Sequence, residues 1–493
     1  MTPPPADDLS TLARGGRTNV VGFFMRLIAR IPFLFIGAQW YGAEAMGRLA
    51  FVVAVLEFSA QGTTLGLKKG LALHLSGDGK DNGAWDAILV VFAVTLIPVA
   101  IFMAFPHIMF PNSAPKPLDY LLPLTIPAFA LTEIMLAACA YRFNIKAAVV
   151  AKMIVEPWTI SIMAIALWWF LPADGLLAAY ALSIGAAVTA AAVPFLRTYG
   201  LPHNWTPRAS ELYALARRNA PLAGAEIIEW SSRRIDVVIL GLFVSPAIVG
   251  IYYTAQQVAT LPQKLKTSFD PVLGPVITKR LAENDRAAIA KQVSQAGFWI
   301  LAAQSSVALA LILASENLMR LIGPGREFVI GTGAMIALLA AEAMASPSVA
   351  SEAALVYVAR YKNFLVSLAT ITLQVALSFA SLTTLRALGY SEAIQAIGPA
   401  ASLAVSLAFS SVIKSRLAAH ELRAPVRIWR WWIAAAALAA LPFGVAAWPL
   451  PFGADIGVGL IGVLVAFWFI IWRYGFGEED RVLFRKASPV PSP

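Results

Sequence analysis

Charge and cysteine are scarce in this sequence, and each scarcity excludes a class of protein. Charged residues fill only 13% of 493 positions, against 59% hydrophobic, and mean hydropathy is +0.71. Soluble domains carry about 25% charged residues, so water is not this chain's only solvent. The single cysteine, Cys139, lies in an apolar stretch and cannot form an intramolecular disulfide. Four histidines, His74, His107, His203 and His420, are scattered without metal-ligand spacing or a nucleophile beside them. A phosphate-cradling loop ending in Gly-Lys-Ser/Thr is missing as well. These absences argue against an enzyme, a resident metal or cofactor, and ATP hydrolysis by this chain alone.

What is abundant is apolar sequence in runs of the length a bilayer demands, roughly 20 residues for a hydrocarbon core of about 30 Å. Spans are expected at 20–39, 49–67, 85–105, 120–141, 147–170, 176–195, 223–244, 248–261, 298–313, 328–358, 364–385, 393–413, 431–450 and 456–472. The run at 328–358 exceeds what a bilayer needs, and Pro347 is expected to kink or end it. Asp7 and Asp8 precede the first run and no small-residue cleavage pattern follows, so that span is expected to be retained. Lys and Arg outside the spans divide 28 to 5 between alternate loops, the poor set being Arg48, Lys116, Arg320, Arg326 and Arg386. The rich set, which includes both termini, is therefore expected in the cytoplasm. The net charge of +10 follows from this topology and from anionic membrane lipid, and no nucleic-acid partner is expected.

A short internal repeat relates the halves. Arg30 and Gly37 recur as Arg234 and Gly241 at an offset of 204 residues, and Gly47 recurs as Gly250 at 203. An even number of spans between the copies makes them parallel repeats. The expected architecture is all-α, a polytopic membrane protein of about 14 transmembrane helices: a cytoplasmic tail (1–16), an N-lobe of helices 1–6 (17–206), a C-lobe of helices 7–12 (207–418), and helices 13–14 with a second cytoplasmic tail (419–493).

Charges inside apolar helices point to function, because each costs at least ~2.5 kcal/mol at a helix centre unless paired or wet. The basic ones are Arg26, Arg30, Lys152, Arg233 and Arg234; the acidic ones are Glu57, Glu133, Glu156, Glu226, Glu229, Asp236 and Glu342. Arg26 and Arg30 are four apart and share a helix face, in a span without an acid of its own. Glu226, Glu229, Arg233 and Asp236 share a second face, flanked by Arg234. Guanidinium groups bind phosphate through paired hydrogen bonds and stay charged when dehydrated, so an anionic, diphosphate-like ligand suits these stripes. The plainer reading is helical neutralisation, with Arg233 pairing Glu229 or Asp236 and Lys152 pairing Glu156. Glu57, Glu133 and Glu342 are candidates to carry a coupling H+ or Na+, or simply to bond a polar neighbour. Trp40, Tyr41, Trp85, Tyr120, Trp431 and Trp432, near span ends, fit an interface belt.

The stretch Arg234-Ile235-Asp236 to Gly241, then Gly250-Ile251-Tyr252-Tyr253-Thr254-Ala255 and Pro275-Val276-Ile277-Thr278-Lys279-Arg280-Leu281, resembles the polysaccharide flippases of the multidrug/oligosaccharidyl-lipid/polysaccharide exporter superfamily, which include Wzx-type and lipid II flippases. The resemblance implies two six-helix lobes around a V-shaped cleft that opens to alternate sides of the bacterial inner membrane. It implies a cationic lining, here Arg26, Arg30, Arg233 and Arg234, for a polyprenyl-diphosphate-linked glycan, and suggests a polysaccharide polymerase and chain-length proteins as partners. The two extra C-terminal spans resemble the lipid II flippase arrangement, where such helices help form a groove for the polyprenyl tail. A drug or metabolite antiporter would be expected to have an acidic first lobe, which two arginines in the first span oppose. A membrane polymerase or ligase would be expected to have a long outer loop, and the outer loops here are short.

Overall fold

The computed structural model describes residues 28, 30–76, 82–266, 277–278, 280–447, 450 and 453–477. All regular structure among the described residues is helical, as apolar runs of bilayer length require. Ten helical stretches are long and apolar enough to cross a membrane, and Trp432–Ala447 is a shorter apolar helix. The chain is a multi-pass membrane protein. Each of the fourteen expected spans is helical over most of its described length, although two of them, 223–244 and 248–261, lie on helices outside those ten and the shorter one.

Two compact units make up the chain, Met1–Thr254 with Ile322–Pro324, and Ala255–Leu321 with Gly325–Pro493. The first unit holds α1 (30–41), α2 (Gly42–Thr63), α3 (Leu67–Leu75), α4 (Gly83–Ala104), α5 (Thr125–Tyr141), α6 (Glu156–Trp168), α7 (Gly175–Tyr199), α8 (Ala209–Phe243) and the start of α9 (Pro246–Lys266). α1 and α2 form one nearly continuous helical run. α1 ends in a π-helical turn, Gly37–Tyr41, and Gly42 at φ 80° lets the chain change direction, a conformation that a side chain at this position would strain. Gly66 at φ 72° makes the corresponding bend between α2 and α3.

Glycines also set how closely these helices approach. Gly62, Gly66 and Gly70 recur every four residues along α2 and α3 and face Ile227, Ala223 and Asn219 of α8 in antiparallel order. A Cβ on Gly66 would lie 2.6 Å from the backbone nitrogen of Ala223. Small residues let helix backbones touch, the packing that apolar solvent favours. The repeat pair Gly47 and Gly250 goes further, since each meets the other's helix backbone. A Cβ on Gly47 would strike the Pro246 carbonyl oxygen, and one on Gly250 would strike that of Ala43. Ala43 and Pro246 are themselves 203 residues apart, so the contact is reciprocal, as two-fold-related copies require.

The second unit contains the rest of α9, then α10 (Arg286–Leu313), α11 (Ser315–Ile322), α12 (Thr332–Val358), α13 (Arg360–Ala387), α14 (Ile397–Leu422), α15 (Trp432–Ala447) and α16 (Ala454–Ile470). Its core gathers Phe298, Ile428, Ile433, Phe467 and Ile471. Pro347 does not end α12, which continues to Val358. Ser411 of α14 stitches the turn around the proline: its hydroxyl accepts from the Ser348 backbone N–H at 3.1 Å and donates to the Met344 carbonyl at 2.5 Å. Polar groups of a proline-interrupted helix are thus satisfied by a neighbour, as hydrocarbon demands. Lys414, placed in a loop by the hydropathy pattern, is buried within α14, where its ammonium donates to Glu352 and Ser367, each at 3.0 Å.

Candidate functional site

The charged seam lies in the first unit and starts on α2. Glu57, Gln61, Thr64 and Lys68 follow four-, three- and four-residue steps, which set them on one side of the α2–α3 elbow. α8 runs antiparallel to this elbow and meets it residue by residue. The Arg234 guanidinium stands 3.8 Å from Glu57, beyond hydrogen-bond reach. One turn along the elbow, Glu226 Oε2 accepts from Gln61 Nε2 at 3.3 Å and from Thr64 Oγ1 at 3.2 Å. Glu226 is buried, and its Oε1 has no hydrogen-bond partner among the described residues.

Lys68 continues the seam into α5, where Glu133 takes its ammonium at 2.7 Å and that of Lys152 at 3.1 Å. Lys152 also pairs with Glu156 at 3.1 Å and sits 4.0 Å from the centre of the Phe129 ring. It lies in a π-helical stretch, Val149–Val155, that leads into α6. Such a widened turn shifts side-chain directions relative to an α-helix and is frequent at functional sites. Tyr180, buried on α7, is within electrostatic reach of Glu57, Glu156 and Arg234. The seam thus crosses six helices, α2, α3, α5, α6, α7 and α8.

The expected site residues separate into groups. Arg234, Glu57, Glu133, Lys152, Glu156 and Glu226 come together. Lys152 makes the expected Glu156 pair and a second pair with Glu133, whose partners lie too far away in sequence for helical spacing to reveal. Asp236 instead accepts a hydrogen bond from the Tyr252 hydroxyl at 2.6 Å, both groups buried, and so ties α8 to α9. Arg30 is half-buried on α1 and has interaction partners. Glu342 is half-buried on α12 in the second unit, also with a partner. Arg26 and the side chains of Glu229 and Arg233 lie outside the described residues. Sequence reasoning missed Gln61, Thr64, Lys68 and Tyr180. The regular steps from Glu57 to Lys68 were the available signal for three of them.

The two cations in the seam differ in how firmly they are held. Lys152 is locked between two carboxylates, whereas Arg234 keeps 27% of its side-chain surface accessible beside a Glu57 that is 15% exposed. A guanidinium has five donors, and among the described residues the nearest carboxylate, Glu57 at 3.8 Å, does not engage them in hydrogen bonds.

This fold is similar to those of solved flippase and multidrug transporter structures. The chain superposes on the lipid II flippase MurJ in an inward closed conformation with a TM-score of 0.71 at 13% identity, covering 96% of this chain and 100% of that one. It also matches an inward-facing multidrug resistance MATE family transporter of the MOP superfamily (TM-score 0.65, 11% identity, 81% and 94% covered) and a mutant of the Vibrio cholerae MATE transporter VcmN (TM-score 0.54, 14% identity, 84% and 98% covered). The model of the family described as "Polysaccharide biosynthesis protein" matches residues 42–322, more than half of the sequence. The chain belongs to that family. No curated protein sequence matches it.

Proposed function

We propose that the protein is a flippase that carries a polyprenyl-diphosphate-linked oligosaccharide from the cytoplasmic to the outer leaflet of the bacterial inner membrane, with both chain termini in the cytoplasm. Membership of a polysaccharide biosynthesis family supports the glycan. The observation that carries the reading is Arg234, a half-buried guanidinium on α8 whose ion pair among the described residues is the loose one with Glu57. Paired N–H donors recognise phosphate oxygens, and a wet basic site removes the desolvation cost that stops a diphosphate and sugar hydroxyls from crossing lipid unaided. Arg30, on the repeat-equivalent helix, is assigned to the same head group. Lys152 is assigned to holding α5 against α6, its charge being spent on Glu133 and Glu156.

Deleting the gene tests this reading. Lipid-linked repeat units are expected to accumulate on the cytoplasmic leaflet while surface polysaccharide disappears. Unchanged surface polysaccharide with altered drug tolerance would instead make the protein an antiporter and overturn the flippase assignment.

A further inference from the structure

We propose that the ribbon linking α14 to α15, residues 423–432, together with Arg473, forms a binding surface for the head group of an anionic phospholipid. The ribbon leaves α14 at Arg423, whose φ of 51° ends the helix, and runs without helical structure to α15. Its residues alternate. Ile428 is buried, and Ala424 and Val426 pack against the core of the second unit. Arg423, Arg427, Trp429 and Trp431 are exposed on the other side. This period of two is that of an extended chain with one face buried.

Three contacts fix the ribbon in place. Ile428 sits over Gly297, where a Cβ would approach its Cγ1 to 2.8 Å. The Arg427 backbone N–H donates to Ser294 Oγ at 2.9 Å. The Arg430 guanidinium lies 3.9 Å from the centre of the Phe298 ring and donates to the Gly475 carbonyl at 2.8 Å. Arg430 is therefore an anchor, and its contact brings the end of the last helical segment beside the ribbon. There Tyr474 stacks on Trp432, with Arg473 over the tyrosine ring at 5.1 Å.

The outer face presents Arg423, Arg427 and Arg473, none with an acidic partner among the described residues, beside Trp429 and Trp431 at 62% and 60% exposure. Glu421, the acid nearest in sequence to the ribbon, is already taken by Lys362 at 2.6 Å. Guanidinium groups match phosphate oxygens, and exposed indoles sit at the head-group level of a bilayer. The ribbon also opens directly into an apolar helix. A dissolved phosphate would use the arginines but leave the indoles in water, so the occupant is lipid. Each arginine near a membrane surface strengthens binding to anionic lipid about fivefold.

Native mass spectrometry of the full chain in detergent, titrated with phosphatidylglycerol, phosphatidylcholine or inorganic phosphate, tests this surface. The wild type is expected to retain phosphatidylglycerol in preference to phosphatidylcholine. The combined Arg423→Gln, Arg427→Gln and Arg473→Gln chain should bind phosphatidylglycerol at least ~10-fold more weakly with an unchanged melting temperature in phosphatidylcholine. Arg217→Gln with Arg218→Gln, which removes two cations elsewhere, should leave the preference intact. Equal phosphatidylglycerol affinity in the triple variant, an equal loss in the control pair, or phosphate binding as strong as lipid binding would each overturn the proposal. Loss of transport in any variant has no bearing on it, so its failure is distinct from failure of the flippase reading.

Discussion

Gly250→Val and Gly47→Val are each expected to strip most of the folded protein from the membrane. Either side chain would drive a Cβ into the backbone of the facing helix, onto the Ala43 or the Pro246 carbonyl. A flexible side chain could rotate away, but a helix backbone can yield only by moving the whole helix. Overpacking of this kind costs about 3 kcal/mol at the upper end of its usual range. The contact is also repeated by the internal symmetry, so the two variants should fail alike. Their melting temperatures in detergent, measured beside the wild type, check this directly. Gly224, on the same α8 as the seam, meets nothing within 4 Å of a built Cβ, and Gly224→Ala is expected to melt like the wild type. Equal melting temperatures for all four chains would mean that α2 and α9 do not cross at Gly47 and Gly250.

Lys152→Met is the second large effect. The change leaves Glu156 without its cation and Glu133 with Lys68 alone. Removing one partner of a buried ion pair costs about 3–5 kcal/mol, mostly because the remaining charge is stranded in low dielectric. The expected result is a strongly destabilised protein, largely rescued when Glu156→Gln is added, because the second change removes the stranded charge. Thermal unfolding of the single and double variants measures both steps. A Lys152→Met chain as stable as the wild type but inactive would move Lys152 from the clasp to the substrate.

Much of the fold was legible because the membrane imposes a simple rule: apolar runs of bilayer length must be helices. The expected spans accordingly coincide with helices from α1 to α16. The 203-residue echo of Gly47 in Gly250 was legible as a repeat, but the fact that the two copies touch was not, since a repeat constrains equivalence and says nothing of contact. Charges within one helix were partly legible. Lys152 and Glu156 pair at the spacing that helical geometry allows, whereas no spacing within α8 announces the bond from Tyr252 to Asp236 across the turn into α9. Pairs that join distant segments could not be read at all. Glu57 and Arg234 are brought together only by the antiparallel packing of α8 on α2, and that packing depends on glycines whose role is visible only once the backbones are in place. Lys68 was counted as a loop cation because hydropathy ends the second span before it. The bend at Gly66 returns it to the seam.

The account rests on the loosely paired guanidinium of Arg234 on α8 receiving a negatively charged head group. The most direct measurement is translocation in proteoliposomes containing the purified chain, using an undecaprenyl-diphosphate oligosaccharide beside a neutral glycolipid with the same sugar. The wild type should move the diphosphate-linked lipid to the opposite leaflet and leave the neutral one in place, and Arg234→Ala and Arg30→Ala should each slow that transfer at least ~10-fold, the size of one lost charge-assisted hydrogen bond. Equal transfer of both lipids, or wild-type rates in both variants, would contradict the account.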